Sequence, residues 1–79
     1  MPYQNIVFMQ GDEAIPVLDR IENQSEQDAL EYLSQWAYGD GLEEDSQPWG
    51  ESDKLFLHND LVLSWNTGIP YVSLTRIIL

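Results

Sequence analysis

His58 and Asp60 stand two positions apart, and His58 is the chain's single histidine. An imidazole beside a carboxylate is a minimal acid–base pair that can be tuned to neutral pH. Catalysis needs more than the pair, yet the chain has no cysteine and no recognisable serine nucleophile motif to work with it. The plainer reading is a histidine beside a hairpin turn, so no catalytic residue and no enzymatic activity are expected. A second candidate is the run of carboxylates Asp40, Glu43, Glu44, Asp45, Glu51 and Asp53, hard oxygen ligands of the kind calcium and magnesium take. The alternating acids and central glycine of an EF-hand are absent. That run therefore reads as a solvated acidic loop with weak, diffuse attraction for divalent cations, and neither a metal nor a cofactor is expected.

Two further kinds of chemistry are disfavoured on the same stretch. Gly39-Asp40-Gly41 is followed by acids and by no nearby lysine, which is the wrong setting for a phosphate cradle. Paired carboxylates of the glycosidase type can be drawn wherever acids are abundant, and without a defined cleft they specify nothing. Trp49 is different, because it stands between Pro48 and Gly50 among acids. An aromatic ring in such a place either covers part of its own domain or anchors a partner with a basic surface. Trp36 and Trp65 fall at core spacing and read as packing residues.

Charge divides the chain. Thirteen of its 14 carboxylates lie from Asp12 to Asp53, where Arg20 is the only cation, so that stretch carries −12 and the remainder +1 of the total −11. Such a balance repels phosphate, and 3 lysines and arginines cannot neutralise the roughly six to ten phosphates of an ordinary DNA complex. Direct nucleic-acid and anionic-membrane binding are thus disfavoured. No apolar run approaches the roughly 20 residues of a membrane span, and residues 1–10 lack the features of a signal peptide, which points to the cytoplasm. At 79 residues a single domain is expected, with a core small enough that packing or self-association must supply its stability.

The elements that position these residues follow from periodicity. Tyr3 to Met9 is rich in β-branched and aromatic residues and reads as a strand, ended by Gly11-Asp12. Ala14, Val17, Leu18 and Ile21 mark one face of a helix from Asp12 to about Glu22, whose start Pro16 can delay by a residue or two. Ser25 with Asp28 resembles a capping box for a second helix, with Ala29, Leu30, Leu33, Trp36 and Ala37 inside and Gly39 at its end. Gly39 to Ser52 shows no apolar periodicity and reads as a long loop, a length that is usually functional or disordered.

Lys54 to His58, Leu61 to Asn66 and Tyr71 to Ile78 read as three strands of an antiparallel meander, joined by Asn59-Asp60 and by residues 67–70. A two-residue first turn pairs His58 with Leu61, Phe56 with Leu63 and Lys54 with Trp65. The core face is then Phe56, Leu61, Leu63, Trp65, Val72 and Leu74. The opposite face carries Leu55, Leu57, Val62, Ser64, Tyr71, Ser73 and Thr75. The fold expected is α+β in the order β-α-α-β-β-β, with the first strand joining the sheet and both helices on one face.

The stretches Gln35-Trp36-Ala37-Tyr38-Gly39, Pro48-Trp49-Gly50 and Asp60 to Tyr71 (DLVLSWNTGIPY) together resemble short bacterial proteins with no assigned function. The resemblance covers about a quarter of the chain and implies no activity. From the residues themselves, the leading expectation is an acidic accessory protein that binds another protein. Glu43, Glu44, Asp45, Trp49 and Glu51 would meet a basic surface, while Leu55, Leu57, Val62 and Tyr71 on the uncovered sheet face would support a homodimer. One alternative is a nucleic-acid mimic that occupies a DNA- or RNA-binding protein. Another is a small-molecule pocket between helices and sheet, closed by the Trp49 loop.

Overall fold

The structure, a computed structural model, describes residues 2–35 and 42–78. Strand β1 (Tyr3–Gln10) runs into a 3-10 turn at Gly11–Glu13, then helices α1 (Ile15–Asn23) and α2 (Glu26–Ser34). Strands β2 (Glu43–Glu44), β3 (Lys54–His58), β4 (Leu61–Asn66) and β5 (Tyr71–Ile77) follow. The five strands form one antiparallel sheet in the order β2-β1-β5-β4-β3. The α+β arrangement is as the periodicity predicts, with β5 now identified as the neighbour of the first strand.

Local chemistry explains the helical layer. Gly11 has φ 63, a conformation that glycine adopts without steric cost, and its amide donates to the Pro70 carbonyl at 2.9 Å, which turns the chain out of β1. The 3-10 turn takes up Asp12 and Glu13, so α1 begins later than the apolar spacing alone suggests, with Pro16 in its first turn. The Asp28 amide donates to Ser25 Oγ at 3.1 Å, capping α2. Trp36, Ala37 and Gly39, expected on that helix and at its end, lie outside the described residues. Ala14, Val17, Leu18 and Ile21 from the α1 segment meet Ala29, Leu30 and Leu33 of α2 over Met9, Leu63, Trp65, Val72 and Leu74 of the sheet. Val7, Tyr32, Phe56 and Leu61 pack at the margin.

The hairpin register is the one expected: Lys54 opposite Trp65, Phe56 opposite Leu63 and His58 opposite Leu61, with Val72 and Leu74 next in line. Asn59 holds the turn at φ 55, a left-handed conformation that asparagine tolerates better than most residues. The pairing of β1 with β5 slips by one residue at Ile6, so Asn5 faces Thr75 and Val7 faces Leu74.

Two expectations need correction. The stretch from Gly39 to Ser52 is not all loop, because Glu43–Glu44 pair with Gln4 and Tyr3 to form the fifth strand. More consequentially, the second sheet face is not left bare. β2 lies at one edge of the sheet and β3 at the other, so residues 45–53 must cross every strand between them. They start beside Tyr3 and finish beside Trp65, a diagonal of about 25 Å, and they include a turn at Gly50–Asp53 where the Asp53 amide donates to the Gly50 carbonyl at 3.3 Å. The crossing runs over the face opposite the helices, since Trp49 packs on Tyr3 and Asp53 bonds Asn66, both on that side. Beneath it Val62, Ser64 and Thr75 are 0 % exposed.

Candidate functional site

The strap formed by residues 45–53 is held at two points. Near its middle, the Trp49 ring meets Tyr3 edge-on with centroids 5.5 Å apart, an arrangement in which a positive ring edge faces a negative ring face. At its end Asp53 Oδ2 accepts from the Gly50 amide at 2.6 Å, and Asp53 Oδ1 accepts from Asn66 Nδ2 at 3.2 Å. Asn66 in turn uses its Oδ1 to accept from the amides of Gly68 and Ile69 at 2.8 and 3.2 Å. One asparagine thereby couples the strap to the β4–β5 turn.

Electrostatics at this end follow from the same contacts. The Tyr71 hydroxyl, the Gly50 amide and the Asn66 amide all favour the charged carboxylate, and they hold Asp53 below its ordinary value against some desolvation. Burial, and then the neighbouring Asp53, push the Tyr71 phenol up to about 12. Among the described residues the Tyr71 and Ser64 hydroxyls make no hydrogen bond of good geometry. Tyr71 therefore acts on Asp53 as a nearby dipole and not as a well-aligned donor.

The floor under the strap is polar and small. Asn5 Nδ2 donates to Ser73 Oγ at 2.6 Å and to Thr75 Oγ1 at 3.3 Å, and those two hydroxyls lie 3.4 Å apart. Small side chains there let a backbone segment approach the sheet closely. Phe8, stacked on Tyr71 with centroids 6.0 Å apart, remains 56 % exposed at a corner the diagonal leaves open.

The residues expected to bind a partner separate into three groups. Glu43 and Glu44 on β2, with Asp45 and Glu51 on the strap, are exposed beside a half-buried Trp49. Leu55 and Leu57 lie on the exposed margin at β3, 44 % and 63 % accessible. Val62 is enclosed and Tyr71 keeps only partial exposure, so neither belongs to an open sheet face, because the strap occupies that side. A homodimer built through the centre of the face would have to displace the strap. The acids are also not gathered on one layer: those of the helices lie on one side of the sheet and those of the strap on the other.

Among the described residues the chemistry considered first finds no assembled site. His58 is exposed, and Asp60 is engaged by Arg76, with Nε to Oδ2 at 3.4 Å. Among the described residues no group of three His, Asp or Glu side chains converges as a metal site; Asp40 lies outside them. No described helix is long and apolar enough to cross a membrane. The space between helices and sheet is filled by the core, and Trp49 lies on the far side of the sheet, so it cannot close a pocket there.

A wide, open groove of about 790 Å³ does run along the outer side of the helices, lined by Arg20, Gln24, Asp28, Glu31, Tyr32 and Gln35. The Arg20 guanidinium stands 4.3 Å over the Tyr32 ring, a cation–π contact that joins α1 to α2. Sequence reasoning passed over this pair, although Arg20 as the lone cation of the acidic stretch was its signal. No family model, no curated protein and no solved structure matches this chain.

Proposed function

We propose that this chain acts without catalysis, as a small acidic module that binds a protein with a basic surface through the strap side. The reading rests on one observation: every described carboxylate except Asp53 is exposed, and among the described residues only Asp60 is held in an ion pair. A domain that uses so few of these charges for its own contacts carries the rest as a field for other molecules, which raises encounter rates with basic surfaces and selects against acidic ones. Glu43, Glu44, Asp45 and Glu51 flank Trp49, so a basic partner would find charge around an aromatic ring already held in place.

Crosslinking capture from cell extract, followed by reconstitution with the purified captured protein, tests this. The expected result is a basic partner whose affinity falls as salt rises and falls further in a Glu43→Lys, Glu44→Lys, Asp45→Lys variant. Binding that ignores both salt and those charges would overturn it. Displacement of the chain by duplex DNA or RNA would shift the reading to mimicry of a nucleic acid, which the placement of acids on two sides of the sheet does not favour.

A further inference from the structure

The two borders of the sheet are built differently. β1 is bordered by β2, a strand of 2 residues with two exposed glutamates, whereas β3 has 5 residues, no carboxylate and, among the described residues, a pairing partner only in β4. An unpaired strand edge is a template for another strand, and shortness and charge are the usual ways of blunting it. β2 has both, while β3 carries only Lys54 at its start. The two-residue turn at Asn59-Asp60 makes His58 and Leu61 a mutually hydrogen-bonded pair. Alternation then directs the backbone groups of Lys54, Phe56 and His58 towards β4 and those of Leu55 and Leu57 outward. The side chains of both leucines are exposed as well.

We infer that β3 is a self-pairing edge, at which two copies of the chain join antiparallel about Phe56 in a two-fold dimer with one continuous sheet. In that register Leu55 of each copy meets Leu57 of the other, and each such pair exchanges two backbone hydrogen bonds from groups that already point outward. Four leucines then cover one another on the strap side, and Phe56 meets its counterpart on the helix side. At the ends, Lys54 of one copy comes opposite His58 of the other, near an Asp60 that Arg76 already engages, so no carboxylates are brought face to face within the paired strands. A second copy satisfies backbone groups and leucine side chains in a single register. That self-complementarity is the mark of a two-fold contact.

Two magnitudes set what to expect. Pairing of so short a strand buries less than the roughly 1,000 Å² of a firm interface, so the dimer is weak and concentration-dependent. Each copy carries −11, so association tightens with salt as repulsion is screened over a Debye length of about 8 Å. Capture of a basic partner has the opposite salt dependence, which keeps this inference separate from the function proposed above.

Sedimentation equilibrium of the full chain over a wide concentration range, at about 50 mM and about 500 mM salt, provides the test. The expected result is a monomer–dimer equilibrium that tightens with salt and weakens about tenfold or more in Leu57→Lys. Ile69→Lys, at an exposed position away from β3, should leave it unchanged. Amide exchange gives a second readout, with Leu55 and Leu57 gaining protection as concentration rises. A monomer at every concentration, a dimer indifferent to Leu57→Lys, or one that weakens with salt would overturn the inference.

Discussion

The two faces of the sheet are closed by different means. On one, α1 and α2 lie over Leu63, Trp65, Val72 and Leu74, and large apolar side chains fill the gap between layers. On the other, a nine-residue strap lies over Ser64, Ser73 and Thr75, with Asn5 tying the latter two hydroxyls together. A helix stands off a sheet by the thickness of its side chains, so its floor must be bulky. A strap without regular structure brings backbone down onto the sheet, so its floor must be small and polar. The first closure is held by area, which is insensitive to detail, and the second by a few directed contacts.

Four changes test that contrast, in falling order of effect. Leu74→Ala should cost about 3 kcal/mol, because a fully buried side chain leaves a cavity the helical layer cannot fill. In a domain of this size that lowers the melting temperature by roughly 4–8 °C for each kcal/mol, read by calorimetry. Ser64→Leu should cost about 2 kcal/mol by overpacking the close approach of the strap, and should make Trp49 fluorescence more solvent-like. An unchanged Trp49 signal would show that the strap stands further off than the packing implies.

Asp53→Ala should cost about 1 kcal/mol through loss of the Gly50 and Asn66 bonds. Because the Asp53 pKa is depressed when folded, its contribution is present above the ordinary value of 3.8 and is lost as pH falls through the folded one. The variant should therefore have a flatter acid limb in stability against pH. Tyr71→Phe should change stability by less than about 0.5 kcal/mol at neutral pH, since its hydroxyl lacks a well-aligned partner. At high pH the sign is different. A phenol raised to about 12 contributes stability below its unfolded value of 10.0 that is lost as pH climbs through 12, and the variant should lack that alkaline decline.

The same contrast explains which parts of the fold were legible beforehand. The helix-covered face follows rules of spacing: Val17, Leu18 and Ile21 mark a helix stripe, and Asn59-Asp60 sets the register from which Leu63, Trp65, Val72 and Leu74 fall on one side. The strap obeys no period. Glu43 and Glu44 are poor strand formers and pair only because Tyr3 and Gln4 offer them an edge, a long-range fact with no local signature. The residues expected to bind a partner divide along this line. The exposure of Glu43, Glu44, Asp45, Glu51, Leu55 and Leu57 agrees with the sequence reading, whereas the enclosure of Val62 depends on a segment whose path only the full topology defines. One clue was present. A run of Ser64, Ser73 and Thr75 on adjacent strands is too small to be a core and too sheltered to be a surface.

The slipped residue at Ile6 has its own consequence. It acts as a parity switch within β1: before it, odd-numbered side chains face the strap, and after it they face the helices, which sends Met9 inward and Phe8 out. Pairing every residue without the slip would set Ile6 opposite Leu74 and Val7 opposite Ser73, and so would swap the duties of every side chain beyond Asn5. Here strand length, counted to the residue, encodes as much of the architecture as strand composition does.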